Sequence, residues 1–426
     1  MSARIVESSP ASITIEVTVP FGSSMLDFET QLQRQLNQAG NLATAEQLRR
    51  FDTDGSPIQV GPTTLYSKGQ LPKEYQTPYG AVAVDRHVYQ SAQGGATFCP
   101  LERDARVVVT STPLFAKIVS SKYAEFGSAR VRRDLRDNHG RSASQCLIQD
   151  LADAVAAVAL AKEESWTYRL PRWDVPPATV SVGLDGSCMH LSEDGWRETM
   201  VGALGFYDAD GARLHTIYLG ATPEYGKATF LERLTREVER AKAELPGARY
   251  VGIADGAKGN WEFLERHTEA QVVDFWHAAE YLGAAAVLFR GQDAARRSWL
   301  DEMCHVLKHE PAGAGRVIRD LRSKAGVRPW AKASEEVTAA LRYFENQNEA
   351  GRMDYASRVA VNDPNGSGVT EAACKVIVKQ RLCGSGMRWK GTGAAAVLSL
   401  RCLNYPPERG DQFWSKVDQY GFPVAA

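Results

Sequence analysis

The pattern of apolar and polar residues changes along the chain. Up to about residue 108, short runs in which apolar and polar residues alternate predict strands, and one run of helical period, 26–40, predicts a helix that ends at a glycine. Between 113 and 164 the apolar residues recur at spacings of three and four, which predicts three helices. The sequence therefore predicts a β-rich N-terminal module at 1–108 and a helical domain at 109–170.

A sheet domain is predicted to follow. Three prolines between Leu170 and Pro177 cannot lie inside a regular element, and they mark the boundary. Beyond them the pattern predicts three strands in succession, then helix, strand, helix, strand and helix. Strands joined by tight turns are antiparallel, whereas a strand reached through a helix is normally parallel to its neighbour. The simplest sheet therefore has the strand of Asp185 at its centre, beside the strand that leads to Asp255.

Asp185 and Asp255 are the candidate chemistry of this sheet. Each is followed by a glycine, which allows a ligand or another backbone to come close. Neighbouring strands lie about 4.8 Å apart, so two carboxylates at equal heights repel each other unless a cation lies between them or one is protonated. Such oxygen ligands suit Mg²⁺ or Mn²⁺ and suit Zn²⁺ less well. The alternative at each position is an ordinary turn aspartate.

Composition places the chain among globular proteins and limits how it would bind nucleic acid. Of its 426 residues, 44% are hydrophobic and 24% are charged, and 50 basic against 51 acidic residues give a net charge of -1. Nucleic-acid binding would therefore rest on a local basic patch. The helical domain has such a patch, and its tight turn before the third helix predicts a helix-turn-helix. The patch consists of Arg130, Arg132, Arg133, Arg136 and Arg141. The alternative is the solvated face of a three-helix bundle.

Cysteines and hydropathy indicate a location. Seven cysteines are scattered without a Cys-x-x-Cys pair, and their odd number argues against a disulfide framework. No apolar run approaches the roughly 18 residues that span a bilayer, and the first residues do not resemble an export signal. We therefore expect a reducing cytoplasm and no membrane partner.

A further pattern is carried by six segments of the chain. They are GLDGS, RETMVGALGFYDADGARLHTIYLG, PEYGKATFLERL, GIADGAKGNWEFL, VVDFWHAAEYL and SGVTEAACKVIVKQRLCGSGMRW. In order and spacing they closely resemble the Kra-type transposases of bacterial insertion sequences, a group that belongs with the Mutator-like transposases in the ribonuclease-H-like superfamily. The resemblance extends over about 94–389.

This resemblance implies a catalytic triad of Asp185, Asp255 and Glu371 that holds two Mg²⁺ (or Mn²⁺) ions. It also implies a ribonuclease-H-like mixed sheet, α/β in class, whose catalytic domain is interrupted by an all-α insertion. The parts would be 171–282 for the first part of the catalytic domain, 283–362 for the insertion, 363–400 for the Glu-bearing helix and 401–426 for a C-terminal tail. Helical periods within 283–362 agree with such an insertion. Taken alone, Glu371 would be a first-turn helix residue favoured by the helix dipole.

Two further sets of residues belong to the implied site. In an Asp-x-x-His motif, His277 would contact a DNA phosphate or leaving group while Asp274 orients its ring; a purely structural hydrogen bond is the alternative. Basic residues near Glu371 would follow the DNA backbone, with a tryptophan stacking on a distorted base. Those residues are Lys375, Lys379, Arg381, Arg388 and Trp389. An ordinary solvated helix face and a core tryptophan are the alternative.

The implied activity is that of a DDE transposase: metal-dependent cleavage of transposon DNA ends and strand transfer of the freed 3′-hydroxyl into target DNA. The partners would be double-stranded DNA and further copies of the chain, in the bacterial cytoplasm at the nucleoid. Some relatives have cysteine-rich zinc ribbons, but no zinc is expected here because His87 and Cys99 supply too few ligands. The alternatives are a ribonuclease-H-like nuclease or domesticated transposase that does not integrate, a DNA-binding regulator, and a structural α/β protein.

Overall fold

The protein combines α-helices with several β-sheets in two compact units. The structure, a computed structural model, describes residues 3–163, 165–222, 227–255, 258–289, 292–326 and 335–422. The predictions for 1–2, 164, 223–226, 256–257, 290–291, 327–334 and 423–426 lie outside the described residues. The first unit is Met1–Tyr168 together with Ser399–Ala426, and the second is Arg169–Leu398.

Antiparallel strands and helices build the first unit. Strand β1 (Ala3–Ser8) pairs with β2 (Ile13–Val17), and a second sheet has the order β3-β4-β5-β6. The strands of that sheet are β3 (Ile58–Val60), β4 (Thr63–Gln76), β5 (Ala81–Ser91) and β6 (Gly94–Phe98). The helices before the second unit are α1 (Met25–Arg49), α2 (Pro100–Asp104), α3 (Pro113–Glu125), α4 (Ser128–His139) and α5 (Gln145–Lys162).

Helix α1 is longer than the sequence predicts. It begins after Ser24, whose hydroxyl accepts a hydrogen bond from the N–H of Asp27 at 3.1 Å. The predicted end is Gly40, but the helix continues to Arg49. A Cβ at Gly40 would lie 2.4 Å from Cγ of Tyr79, so this glycine allows an aromatic ring to pack on the helix. It marks a close contact rather than a helix end.

Helices α3, α4 and α5 pack against one another, as their apolar spacing predicts. Helix α4 ends at Gly140, whose φ of 58° is the left-handed conformation that glycine adopts without strain. Helix α5 begins after Ser144, whose hydroxyl accepts a hydrogen bond from the N–H of Leu147 at 3.1 Å. The two caps define the short connection between α4 and α5.

The second unit is built on a mixed sheet whose described strands have the order β11-β10-β7-β8-β9. They are β7 (Thr179–Leu191), β8 (Gly195–Tyr207), β9 (Arg213–Ala221), β10 (Arg249–Ala254) and β11 (Ala270–Val273). Strand β8 is antiparallel to β7 and β9, and β10 is parallel to β7 and β11. This order confirms the prediction that β7 lies at the centre beside β10. The first six residues of β7 are buried, as in strands covered on both faces.

The register between β7 and β10 sets the heights of two aspartates. Ile253 pairs with Gly183, and this pair, like the others of the two strands, is separated by 70 residues in sequence. Asp255 and Asp185 have the same separation and come two residues after that pair. Both aspartates therefore lie at the same level, two residues beyond the last paired residues of β7 and β10.

Helices α6 (Ala228–Glu244), α7 (Lys258–His267) and α8 (Phe275–Ala285) follow strands β9, β10 and β11 in turn. A 3₁₀ turn, Ala286–Phe289, comes after α8. The next helices are α9 (Asp293–His309), α10 (Gly313–Gly326), α11 (Glu335–Glu349) and α12 (Tyr355–Ala360). Their buried apolar residues belong to the same core cluster as those of the sheet.

The last part of the chain is also helical. Helix α13 (Gly368–Ala373) continues as a π-helical turn (Cys374–Lys379) and as α14 (Gln380–Leu382). Helices α15 (Gly391–Asn404) and α16 (Pro407–Tyr420) follow, and the boundary between the units falls within α15. Among the described helices, none has the length and hydropathy needed to cross a bilayer.

A buried aspartate fixes the chain where it returns to the sheet. The fully buried carboxylate of Asp363 accepts hydrogen bonds from Thr179 Oγ1 at 2.8 Å, from Arg249 Nη2 at 2.7 Å and from Arg358 Nη1 at 3.1 Å. Thr179 and Arg249 are the first residues of β7 and β10. The segment before α13 is therefore tied to the two strands that lead to the aspartates.

Candidate active site

Asp185, Asp255 and Glu371 line one cavity in the second unit, and His277 lies in the same wall. The cavity has a volume of about 160 Å³. At roughly 30 Å³ for each water molecule, it holds the equivalent of about five waters. The structure thus brings together four of the five residues that the sequence predicts as catalytic.

Asp185 is held by two hydrogen bonds. Its Oδ1 accepts from the N–H of Gly186 at 2.6 Å, and the thiol of Cys374 donates to its Oδ2 at 3.6 Å. Burial raises the pKa of Asp185 above its usual 3.8, and the charge of Asp255 raises it further, against the opposing effect of the Gly186 N–H. Burial and the charge of Asp185 raise the pKa of Cys374 to about 12, so this thiol stays protonated and donates. The arrangement favours a bound cation or a proton at Asp185.

Glu371 is held in the first turn of α13 by Ser367. The serine hydroxyl donates to Glu371 Oε1 at 3.0 Å, and the serine carbonyl accepts from the N–H of Glu371 at 2.9 Å. The N–H of Ser367 donates in turn to the buried carboxylate of Asp274. Asp274 therefore positions Glu371 through a single serine.

The structure corrects the predicted pairing of Asp274 with the ring of His277. The Asp274 carboxylate caps α8 and accepts from the backbone N–H of His277 at 2.7 Å. Ring Nδ1 of His277 lies 3.3 Å from Glu280 Oε2 instead, and the ring meets Tyr281 and Tyr343 edge-on. At a helix start, the carboxylate of an N-cap aspartate reaches the backbone N–H of the residue three positions later more readily than it reaches that residue's side chain. His277 thus lies in the cavity wall with Glu280 as its ring partner.

Helix α13 packs closely on β7 at a glycine. A Cβ on Gly183 would lie 2.0 Å from Thr370 Oγ1 and 3.3 Å from the carbonyl oxygen of Ile253. Thr370 is buried and immediately precedes Glu371. A side chain at position 183 would therefore displace α13 from the sheet.

We expect Gly183→Ala to destabilise the second unit by about 1–3 kcal/mol, the usual cost of overpacking. Thr370→Ala removes the Oγ1 atom that the new Cβ would meet, so the double variant Gly183→Ala/Thr370→Ala should recover part of the loss relative to the sum of the single changes. Urea unfolding combined with hydrogen exchange of peptides from β7 measures both effects. Gly368→Ala is the control, because nothing lies within 4 Å of its Cβ position. Equal stability of the Gly183→Ala and Gly368→Ala proteins would contradict the close packing.

The predicted basic stripe beside Glu371 is partly exposed and partly engaged. Lys375, Lys379 and Arg388 are exposed. Arg381 is 4% exposed, and its guanidinium lies over the ring of Trp389, 4.9 Å from the centroid. The indole Nε1 of Trp389 donates to a backbone carbonyl of α14 at 3.1 Å. Arg381 and Trp389 therefore hold the loop after α14 in place, and the exposed side chains are the ones that can reach a phosphate.

In the first unit, four of the five arginines predicted to contact DNA are exposed on α4. They are Arg130, Arg132, Arg133 and Arg136. Arg141 differs: it is 4% exposed, its Nε donates to the carbonyl of Thr77 at 2.9 Å, and its other nitrogens donate to the carbonyl of Ser142 and the side chain of Gln76. These contacts enclose the guanidinium, so Arg141 stabilises its own unit.

The residues that hold the carboxylates in place were not predicted. Ser367, Thr370 and Cys374 lie in the segment that suggested Glu371, but none of them bears a charge. Asn260 is buried, and its Nδ2 donates to the carbonyl of Leu184 at 3.1 Å, one residue before Asp185. The signal available in the sequence was the serine just before a predicted helix with a glutamate in its first turn.

The carboxylates that line the cavity are not already arranged as a metal site. In the ranges that the structure describes, no three His, Cys, Asp or Glu side chains are close enough together to hold an ion. Asp185, Asp255 and Glu371 nevertheless offer only oxygen donors around one cavity, and burial together with the charge of Asp255 raises the pKa of Asp185. This donor set suits a hard divalent cation.

Comparison with known proteins returned neither a matching family model nor a matching curated protein. The functional conclusion therefore rests on the carboxylates, their cavity and the basic side chains beside it.

Proposed function

We propose that the chain is a DDE transposase whose second unit is a ribonuclease-H-like catalytic domain. The observation that carries the proposal is the cavity shared by Asp185, Asp255 and Glu371. Asp185 lies within β7 and Asp255 directly follows β10, while Glu371 returns on a helix after a run of helices. Acidic side chains that line one cavity repel one another unless a cation lies between them or one of them is protonated. The arrangement thus supports a metal-dependent reaction.

In this mechanism the chain's own residues bind and orient the reacting groups. Asp185, Asp255 and Glu371 would hold two Mg²⁺ or Mn²⁺ ions, which when bound activate the attacking oxygen and stabilise the leaving oxygen of a displacement at phosphorus. The carboxylates need not transfer protons themselves. His277, in the cavity wall, would donate a hydrogen bond to a phosphate oxygen or to the leaving group.

The exposed basic side chains support DNA as the substrate. Lys375 and Lys379 lie in the π-helical turn that continues α13, the helix of Glu371, and Arg388 follows α14. Such phosphate contacts add affinity that falls with salt concentration. The exposed arginines of α4 would contact the transposon end as part of a helix-turn-helix module. The proposed partners are double-stranded DNA, as end and as target, and further copies of the chain at the bacterial nucleoid.

The proposal is tested with the purified full chain and labelled DNA taken from both sides of its gene. In Mg²⁺ or Mn²⁺ we expect cleavage that leaves a 3′-hydroxyl, followed by joining of that end to a target plasmid; with EDTA or with Ca²⁺ we expect neither. Cleavage without joining would favour the nuclease, and DNA binding without cleavage would favour the regulator. Equal product in EDTA would contradict metal dependence.

A further inference from the structure

Trp276 lies next to the cavity and is open to solvent. Its side chain is 65% exposed, whereas its neighbour Phe275 is 4% exposed and its other neighbour, His277, lines the cavity. Tryptophan is the side chain with the largest flat apolar surface, and it is enriched where proteins meet ligands and partners. The position of this indole therefore indicates a binding role.

The backbone below the indole is fixed. The N–H of Phe275 donates to the carbonyl of Asn365 at 3.1 Å, in addition to the hydrogen bonds of Asp274 described above. The indole lies against Gly366, where a Cβ would be 3.5 Å from Cδ1 and 3.7 Å from Nε1 of Trp276. The ring of Phe275 meets it edge-on at a centroid distance of 5.5 Å. The indole is thus oriented before a ligand binds, which lowers the entropy cost of binding.

The size of the cavity places any base outside it. The cavity volume of about 160 Å³ suits a phosphate group and its ions better than a whole nucleoside, which is larger. We therefore place the base attached to a bound phosphate beyond the cavity wall. His277 and Ser367 belong to that wall, and Trp276 and Gly366 directly precede them in sequence.

We propose that Trp276 stacks on a nucleobase next to the phosphate held in the cavity. The inference rests on the proposed function, because it takes DNA as the ligand. Trp276 takes the stacking role that the sequence resemblance implies for Trp389, because Trp389 already lies under Arg381 and donates its N–H to a backbone carbonyl. Stacking on a base is tolerant of sequence, because every base presents a flat face.

The experiment measures binding of a fluorescein-labelled oligothymidylate to the full chain, with Ca²⁺ in place of Mg²⁺. Trp276→Ala is expected to weaken binding by roughly 10-fold to 100-fold, and Trp276→Phe, which keeps a ring, by only a few-fold. Trp196→Ala is the matched control, because Trp196 is 70% exposed on β8 of the same unit; its binding should equal that of the wild type. The salt dependence should be unchanged in Trp276→Ala, because stacking releases no counterions.

A 2-aminopurine in the oligonucleotide reports stacking directly. Its fluorescence should be quenched by the wild type and by Trp196→Ala, and much less by Trp276→Ala. Wild-type binding and quenching by Trp276→Ala would overturn the proposal, as would an equal loss in both alanine variants. The stacking proposal and the proposed DNA cleavage can be refuted independently. If Trp276→Ala cleaves DNA and binds the oligonucleotide as well as the wild type does, the cleavage activity stands and the stacking proposal is refuted. If binding and quenching depend on Trp276 but the wild type does not cleave DNA, the stacking proposal stands and the proposed cleavage activity is refuted.

Discussion

Replacing Asp255 with asparagine is expected to reduce Mg²⁺-dependent DNA cleavage by roughly 10³-fold while the chain remains folded. The change preserves the shape of the side chain and removes its negative charge. A neutral amide oxygen is a weaker ligand for a divalent cation than a carboxylate. The partner carboxylate, Asp185, would then hold the ion almost alone on the strand side of the cavity. Single-turnover cleavage of end-labelled DNA measures the loss.

Asp255→Asn is not expected to lower the stability of the metal-free protein. The charge of Asp255 helps to raise the pKa of Asp185, so ionised Asp185 is less favourable in the folded chain than in the unfolded one. This penalty is present at neutral pH and is lost as the pH falls through the raised pKa towards 3.8. In EDTA at neutral pH, Asp255→Asn should therefore melt at the same temperature as the wild type or higher. Added Mg²⁺ should raise the melting temperature of the wild type and leave that of Asp255→Asn unchanged.

Asp210→Asn is the matched control for Asp255→Asn. It makes the same change of charge in the exposed turn between β8 and β9. Cleavage and stabilisation by Mg²⁺ should both remain as in the wild type. Full cleavage by Asp255→Asn, or a melting temperature in EDTA well below that of the wild type, would show that Asp255 has a structural role instead.

Replacing Asp363 with alanine is expected to destabilise the second unit by about 3 kcal/mol. The change leaves the buried hydroxyl of Thr179 without its acceptor and removes the counter-charge of Arg249 and Arg358. Both arginines are partly exposed, so water replaces some of what they lose, and the effect falls at the low end of the range for a broken buried pair. Urea unfolding followed by hydrogen exchange of peptides from β7 and β10 measures it.

Two further variants define the role of Asp363. Asp363→Asn keeps an acceptor for Thr179 and loses the charge, so its cost should be smaller, about 1–2 kcal/mol. Asp354→Ala removes an exposed aspartate that caps α12, at a cost of about 1 kcal/mol. If Asp363→Ala were no less stable than Asp354→Ala, the anchoring of the returning chain to β7 and β10 would be refuted.

The order of the central sheet could be predicted because it depends on local features. Tight turns make β7, β8 and β9 antiparallel, and the helix before β10 makes that strand parallel to β7. Each aspartate stands at or just beyond a buried run, so the pairing of Asp185 with Asp255 followed from the strand order. Their common cavity agrees with that prediction.

The position of Glu371 could not be predicted from local sequence, because distant contacts determine it. The N–H of Ser367 reaches the carboxylate of Asp274, and Asp363 reaches the first residues of two strands. No periodicity in the intervening helices encodes these contacts. The same reason explains Arg141, whose exposure is decided by Thr77, far away in the chain and outside any helical repeat.

The shared register of β7 and β10 determines where residues can be inserted between Asp185 and Asp255 without moving either aspartate. A residue inserted into the turn between β8 and β9, or into α6, lengthens the interval between the two aspartates without moving either of them. A residue inserted in β7 or β10 between the strand start and its aspartate shifts the pairing by one and turns one aspartate to the opposite face of the sheet. Evolution can therefore change the interval of 70 residues freely, while the count from each strand start to its aspartate stays fixed. Distant relatives of this chain are best aligned by those strand starts.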